Sequence, residues 1–337
     1  MSQPLAPRVI VMNDTSGRSH HGCARVMRLL YQGLGRHGLQ IIHRSMARSE
    51  WSREKGFAEA LESADLIVIN GEGTLHHGRA AGRTLLNVIP AAKAKGVPVA
   101  VINALWQDNP PEFLDLVSGA ALVATRDQRS GSELAKLDNV RTLPDLSLSA
   151  GAAPQLGPRD QFYCGDSVRW STRRALARAG KHLKADALVP TKTRASALWM
   201  EKPFGPWLSA MYHGAAPFGL PPLQLAATEA DYLRLLGRAR MYLTGRFHGI
   251  CLSLVTGTPF LTTGSNSWKI EALLADAGLP QSRAIAEEDL ATLTQDDLNR
   301  PFSVQETQGI ATFLAKAQRE SEQLFADLAA LAWRGQR

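Results

Sequence analysis

An alternation of short apolar runs with helical repeats fills the first 145 residues and constrains this chain more than any other feature. RVIVMN, LQIIHRS, DLIVIN, VPVAVIN, AALVATRD and VRTLPD are the candidate strands, and several are apolar at successive positions rather than at every second one. A strand that is apolar on both faces is buried on both, as inside a parallel sheet covered by helices. Between the first two runs Val26, Leu29, Leu30 and Leu34 recur at helical spacing with Gly38 just beyond, and Leu85, Leu86, Val88 and Ile89 precede AAKAKG in the same manner. Repeated βα units predict a doubly wound α/β sheet, and such sheets bind ligands outside the carboxyl ends of their strands.

With 337 residues the chain exceeds one ordinary core, so two domains are expected. SAGAAPQLGPRD, residues 149 to 160, is rich in Gly, Pro and Ala without periodicity and reads as a linker. A second α/β pattern follows, with QFYCGDS, ADALVPTK, ARMYLTG and TPFLTTG as strands and STRRALARAGKHLK, TEADYLRLLGRA, ICLSLVTG and KIEALLADAGL as helices. Residues 195 to 225 interrupt it with aromatics, Pro and Gly, a long ordered loop whose Trp199, Phe204, Trp207 and Tyr212 suit either stacking on sugar rings or a minor core. From 304 to 333 Ile310, Phe313, Leu314, Ala317, Leu324, Phe325, Leu328 and Leu331 share one broad face of a long helix. That helix either packs on the domains or lies on a membrane surface, and the second use calls for more Lys and Arg on its polar face. The expected division is residues 1–150, 160–300 and the helix 304–333.

The net charge of +7 favours anionic partners without naming one. The basic residues are spread along the chain and no standard recognition motif occurs, which argues against nucleic acid. Cys23, Cys164 and Cys251 are far apart and form no CxxC pair, so neither a disulfide framework nor a zinc cluster is expected, and a reducing cytoplasm is the simplest compartment. No cationic leader followed by a long apolar run and no stretch of about 18 apolar residues occurs. The expectation is a cytoplasmic protein, with peripheral attachment at the inner membrane still compatible.

Polar clusters fall just after the candidate strands. Asp14, Thr15, Ser16, Arg18, His20, His21 and Gly22 follow the first, and Gly71, Glu72, Gly73, Thr74, His76 and His77 follow the third. Neighbouring imidazoles point apart and the spacing matches neither HExxH nor a Cys/His finger, so proton transfer or hydrogen bonding to a substrate is preferred over metal binding, and no metal or cofactor is expected. The glycines of GEGT serve either a tight strand-to-helix turn or close approach of a ligand; GEG is not the GxGxxG dinucleotide fingerprint. GRFHG, residues 245 to 249, closes a buried strand and opens a helix, where backbone N–H groups can meet a phosphate or carboxylate.

NGEGTLHH, TRDQRS (125–130), LPDLSL (143–148) and GRFHGICLSLVTGTPFLTTGSNSWKIEALLADAGL resemble, in this order, the landmarks of the polysaccharide pyruvyltransferase family over roughly residues 65 to 280. The last block is the most specific, with Arg-x-His-Gly, then Gly-Thr-Pro at 257–259, then Lys269 before a helix ending in Gly. The resemblance implies a GT-B-like fold, two Rossmann-like doubly wound domains facing across a cleft, here with the long C-terminal helix. It implies transfer of pyruvate from phosphoenolpyruvate to sugar hydroxyls of cell-envelope polysaccharides or lipid-linked precursors. Arg246 would bind the donor's phosphate or carboxylate and His248 would be a general acid or base. The loop NDTSGRSHHG departs from the glycine-rich Gly-Asn-x-Gly-Asp loop common in the family, which leaves donor and acceptor open.

Phosphoenolpyruvate carries a carboxylate and a phosphate on one small skeleton, and arginine supplies the planar fork that such a site needs. The expected donor side is Arg246, His248, Gly249, Ser265, Asn266, Ser267 and Lys269; the expected acceptor side is Arg18, His20, His21, Gly71, Glu72, Gly73, Thr74, His76 and His77 in the first domain. The competing reading is a retaining glycosyltransferase using CMP-Kdo, since some retaining Kdo transferases are similar to this superfamily. That chemistry needs a carboxylate nucleophile, for which Asp14, Glu72, Asp145 and Asp166 follow predicted strands. The three aspartates also have plain uses, as a helix cap, a turn closure and a backbone tie.

Overall fold

The structure is a computed structural model that describes residues 5–155, 157–193, 207, 211 and 219–336. Of the aromatic segment, Trp199, Phe204 and Tyr212 lie outside the described residues. The chain divides into two compact units, the first made of Met1–Gly17, Val26–Ser149 and Lys316–Arg337, the second of Arg18–Arg25 and Ala150–Ala315.

The first unit carries a six-stranded sheet of β1 (Arg8–Asp14), β2 (Gln40–Met46), β3 (Leu66–Asn70), β4 (Val99–Ala104), β5 (Leu122–Thr125) and β6 (Val140–Thr142), ordered β2-β1-β3-β4-β5-β6 with every pairing parallel. Between them run α1 (His21–Arg36), α2 (Phe57–Glu62), α3 (Ala80–Leu86), α4 (Val88–Ala94), α5 (Pro111–Ser118) and α6 (Gln128–Glu133). Successive strand residues feed opposite cores. Ile10, Met12, Ile67, Ile69, Val99 and Val101 join one; Val9, Val11, Leu66, Val68, Ala100 and Ile102 join the other. This is why the strands lack polar alternation. The order reverses between β1 and β3, so the switch point lies beyond Asp14 and Asn70.

The second unit carries β7 (Gln161–Ser167), β8 (Ala187–Leu188), β9 (Ala239–Gly245), β10 (Phe260–Thr263) and β11 (Ala284–Ile285), also all parallel, ordered β11-β10-β9-β7-β8. Its helices are α7 (Trp170–His182), α8 (Glu229–Arg238), α9 (Phe247–Thr256) and α10 (Lys269–Asp276). The two-residue β11 is too short to show periodicity and carried no signal in the sequence. Here the order reverses between β7 and β9, beyond Ser167 and Gly245.

Two segments depart from a division by chain order. Residues 18–25, the start of α1 included, group with the second unit, so His20 and His21 stand with the residues expected on the donor side. The long helix α11 (Val304–Gly335) begins in the second unit and ends in the first, where Leu324, Phe325, Leu328 and Ala332 complete a core. Its apolar face is therefore covered by packing. Among the described residues no helix is long and apolar enough to cross a membrane.

Candidate functional site

In the second unit the GRFHG segment sits at the switch point. Gly245 ends β9 where a Cβ would come within 2.8 Å of Thr263 on β10 and Ser167 on β7, so the three strand ends converge only because that side chain is missing. Arg246 is still extended (φ −110°, ψ 127°), and α9 starts at Phe247, three residues before the apolar run suggested. His248 thus rides on the first turn of a helix buried along its whole length. Gly249 faces Thr244 and Thr191, whose hydroxyls would lie 2.8 and 3.1 Å from an added Cβ. Its small size is a packing requirement.

Arg246 is 7% exposed and its Nε donates to Asp166 Oδ2 at 2.7 Å, with Nη2 2.6 Å from the same oxygen. Asp166 Oδ1 accepts the Thr191 N–H at 2.8 Å. The fully buried Asp166 therefore fixes the guanidinium plane and ties down the backbone beyond β8. His248 is buried and its ring meets His20 edge-on, centroids 5.2 Å apart. His20 Nδ1 accepts the Cys23 N–H at 3.3 Å. Burial, then the positive neighbours His248 and Arg246, hold the His20 imidazole well below its ordinary range. His21 stacks on Tyr232, and burial lowers its pKa to about 4 against the opposing pull of Asp166, Glu229 and Asp231. Beyond β10, Lys269 Nζ donates to Asn266 Oδ1 at 2.7 Å and the Ser265 hydroxyl donates to the same oxygen at 3.2 Å, while Ser267 Oγ is buried without a hydrogen-bond partner among the described residues. Arg18 is half-buried beside the His20 turn.

Sequence reading missed what joins the two motifs. A Cβ on Gly22 would lie 2.1 Å from His248 Cγ, so the glycine of the first HHG is the space that His248 occupies. The partly buried pair Arg25–Glu229 (2.6 Å) was missed as well, because its members are 204 residues apart.

In the first unit the second switch point gathers a separate polar set. Thr15 Oγ1 donates to Glu72 Oε2 at 2.9 Å, and the Asn13 amide donates to the carbonyls of Asn70 (2.6 Å) and Glu72 (3.2 Å). Gly71 packs against Ala104, and Gly73 turns at φ +70°. His76 is buried, whereas His77 is exposed with Nδ1 3.4 Å from Asp108. A cavity of about 70 Å³ is lined by Asn13, Ser45, Arg48 and Thr74 among others, and both Asn13 Oδ1 and Thr74 Oγ1 are buried there without hydrogen-bond partners among the described residues. That volume holds a substituent or two waters rather than a sugar ring.

The aspartates offered as nucleophiles also make structural contacts. Asp14 accepts from the Tyr31 hydroxyl at 2.5 Å and from the Ser16 N–H at 2.9 Å. Burial raises its pKa, but the hydrogen bonds from Ser16 and Tyr31 outweigh that and leave it below the ordinary value. Asp145 caps the turn at Leu146–Leu148 through the Ser147 N–H (2.9 Å) and pairs with Arg126 at 3.2 Å. A groove of about 990 Å³ along α7, with Arg169, Arg174, Arg178 and His182, carries none of the motif residues.

A family model of polysaccharide pyruvyl transferases matches residues 9–267 and spans both switch points. The chain belongs to that family. No match was found among curated proteins. Among solved structures, the α,α-trehalose-phosphate synthase (UDP-forming) from Burkholderia vietnamiensis is similar with a TM-score of 0.52 at 11% identity, over 97% of this chain and 99% of that one. CalG4, the calicheamicin glycosyltransferase, gives 0.51 at 12% identity over 97% and 99%. The UDP-GlcNAc 2-epimerase from Methanocaldococcus jannaschii gives 0.50 at 9% over 94% and 99%. At such identities the likeness shows the fold, which is GT-B-like. The protein is a polysaccharide pyruvyl transferase family member and a transferase of polysaccharide biosynthesis.

Proposed function

We propose that this transferase moves the enolpyruvyl-derived group of phosphoenolpyruvate onto a pair of hydroxyls of a sugar or lipid-linked oligosaccharide, forming a ketal. The observation that carries the reading is Arg246, held in plane by buried Asp166, two residues before His248 on the first turn of α9. The guanidinium fork binds the donor's carboxylate or phosphate, and the loop of Ser265, Asn266, Ser267 and Lys269 supplies further donors. C3 of the enol takes a proton, positive character develops at C2, the first sugar hydroxyl attacks C2 and loses its proton, and the second hydroxyl then replaces phosphate at C2, losing its own proton as phosphate leaves. His248 serves one of these proton steps. The loop from Gly71 to His77, with Glu72 and Thr74, takes the acceptor. No metal or other cofactor takes part, and the reaction belongs in the cytoplasm, with the enzyme peripheral to the inner membrane where its acceptor is lipid-linked.

Calorimetry and thermal shift with phosphoenolpyruvate, CMP and CMP-Kdo test the donor. Stabilisation by phosphoenolpyruvate, reduced at least tenfold in affinity by Arg246→Lys, is the expected outcome. Stabilisation by CMP with none by phosphoenolpyruvate would replace this reading with acidic-sugar transfer. His248→Ala is expected to lower turnover by a factor of about 100 or more with the melting temperature little changed; full turnover in that variant removes His248 from the chemistry.

A further inference from the structure

We propose that His20, Cys23 and His248 form a binding site for one soft divalent metal ion of the zinc type. One ring nitrogen of each histidine and the sulfur of Cys23 lie within 4.8 Å of one another, inside the second unit. His20 immediately precedes α1 and Cys23 lies in its first turn, and the Cys23 N–H donates to His20 Nδ1 at 3.3 Å. The intervening Gly22 has no side chain, and that gap admits His248 from α9.

The donor set selects the ion. Two imidazoles and a thiolate suit zinc, while magnesium and calcium need oxygen ligands that the cluster lacks. A tetrahedral ion with bonds of about 2.0–2.3 Å spaces its ligand atoms by about 3.5 Å. The three ligand atoms lie within 4.8 Å of one another, so each pair has to close by little more than an ångström at most. Cys23 lies in the first turn of α1, where the backbone N–H groups favour a thiolate, and its own N–H orients the His20 ring. The thiol gives up its proton to solvent as the ion binds. Arg246 and Lys192 are cationic neighbours of His20, and the thiolate's charge offsets part of their field. None of the three cysteines forms a disulfide, and Cys164 and Cys251 belong to buried strand and helix interiors outside the cluster. Three protein ligands leave a fourth position for water or another small ligand.

Metal-free full-length protein titrated with cobalt(II) alone tests this without any donor or acceptor. One equivalent is expected to produce a thiolate-to-cobalt charge-transfer band and the strong visible bands of a four-coordinate ion. Cys23→Ser is expected to lose the charge-transfer band and bind zinc at least tenfold more weakly, whereas Cys251→Ser keeps both. X-ray absorption of the zinc-loaded wild type, which needs no variant, is expected to show one sulfur at about 2.3 Å and nitrogens at about 2.0–2.1 Å. A wild type without the charge-transfer band, a band that persists in Cys23→Ser, or a zinc shell without sulfur would overturn the site.

Discussion

Asp14 shows how a residue with chemical potential is spent on structure. Its side chain is fully buried, it accepts from Tyr31 and Ser16, and its pKa is held below the ordinary value of 3.8. Because the folded pKa is depressed, the stability it contributes is complete above the unfolded pKa and is lost as pH falls through the folded one. Asp14→Asn is expected to cost about 2 kcal/mol near pH 7 and to flatten the acid limb of a urea-melt series between pH 5 and 2. The folded variant is expected to retain transfer activity, and an inactive but fully folded variant would restore Asp14 as a catalytic candidate. Arg246 is the contrary case at the same scale. Its position after β9 was legible as a motif, but the partner that aims it, Asp166, is 80 residues away.

At the scale of the element, α1 holds three glycines with three different reasons. An added Cβ on Gly22 would lie 2.1 Å from His248, one on Gly33 would lie 2.2 Å from the Phe325 ring, and one on Gly35 meets nothing within 4 Å. Gly22→Ala is expected to displace His248 and lower turnover by about 100-fold or more, since small misplacements of reacting groups are that costly. Gly33→Ala is expected to cost about 1–3 kcal/mol through overpacking. Gly35→Ala is expected to be neutral or to stabilise by about 0.5 kcal/mol, because it only removes backbone freedom from the unfolded chain. Activity assays and thermal melts of the three variants separate these roles. A drop in stability for Gly35→Ala equal to that of Gly33→Ala would contradict them. Helical periodicity revealed α1 itself, yet it treats all three positions alike.

For the whole molecule, α11 is the decisive element. It ends the chain, yet Leu324, Phe325 and Leu328 belong to the core of the first unit, while Glu306 in its first turn pairs with the fully buried Arg283 of the second at 2.6 Å. Burying three such apolar side chains is worth about 5–9 kcal/mol, which is comparable with the net stability of a domain. Removal of residues 316–337 is therefore expected to leave the first unit unfolded, read as early proteolysis and loss of cooperative melting. A truncated chain that melts like the full one would refute this. Glu306→Gln is expected to cost about 3–5 kcal/mol, since it leaves a buried guanidinium without its counter-charge.

The sequence by itself determined the two parallel α/β units, the strands β1 to β6, the long final helix and the Arg246–His248 landmark. All of these rest on local periodicity or on a contiguous motif. Only the tertiary structure decided that residues 18–25 join the second unit, that Asp166 serves Arg246, and that Gly22 makes room for His248. Those facts depend on side chains brought together from distant positions by the strand order. A hydrophobic pattern records which face of a strand or helix is buried, but not which distant residue buries it.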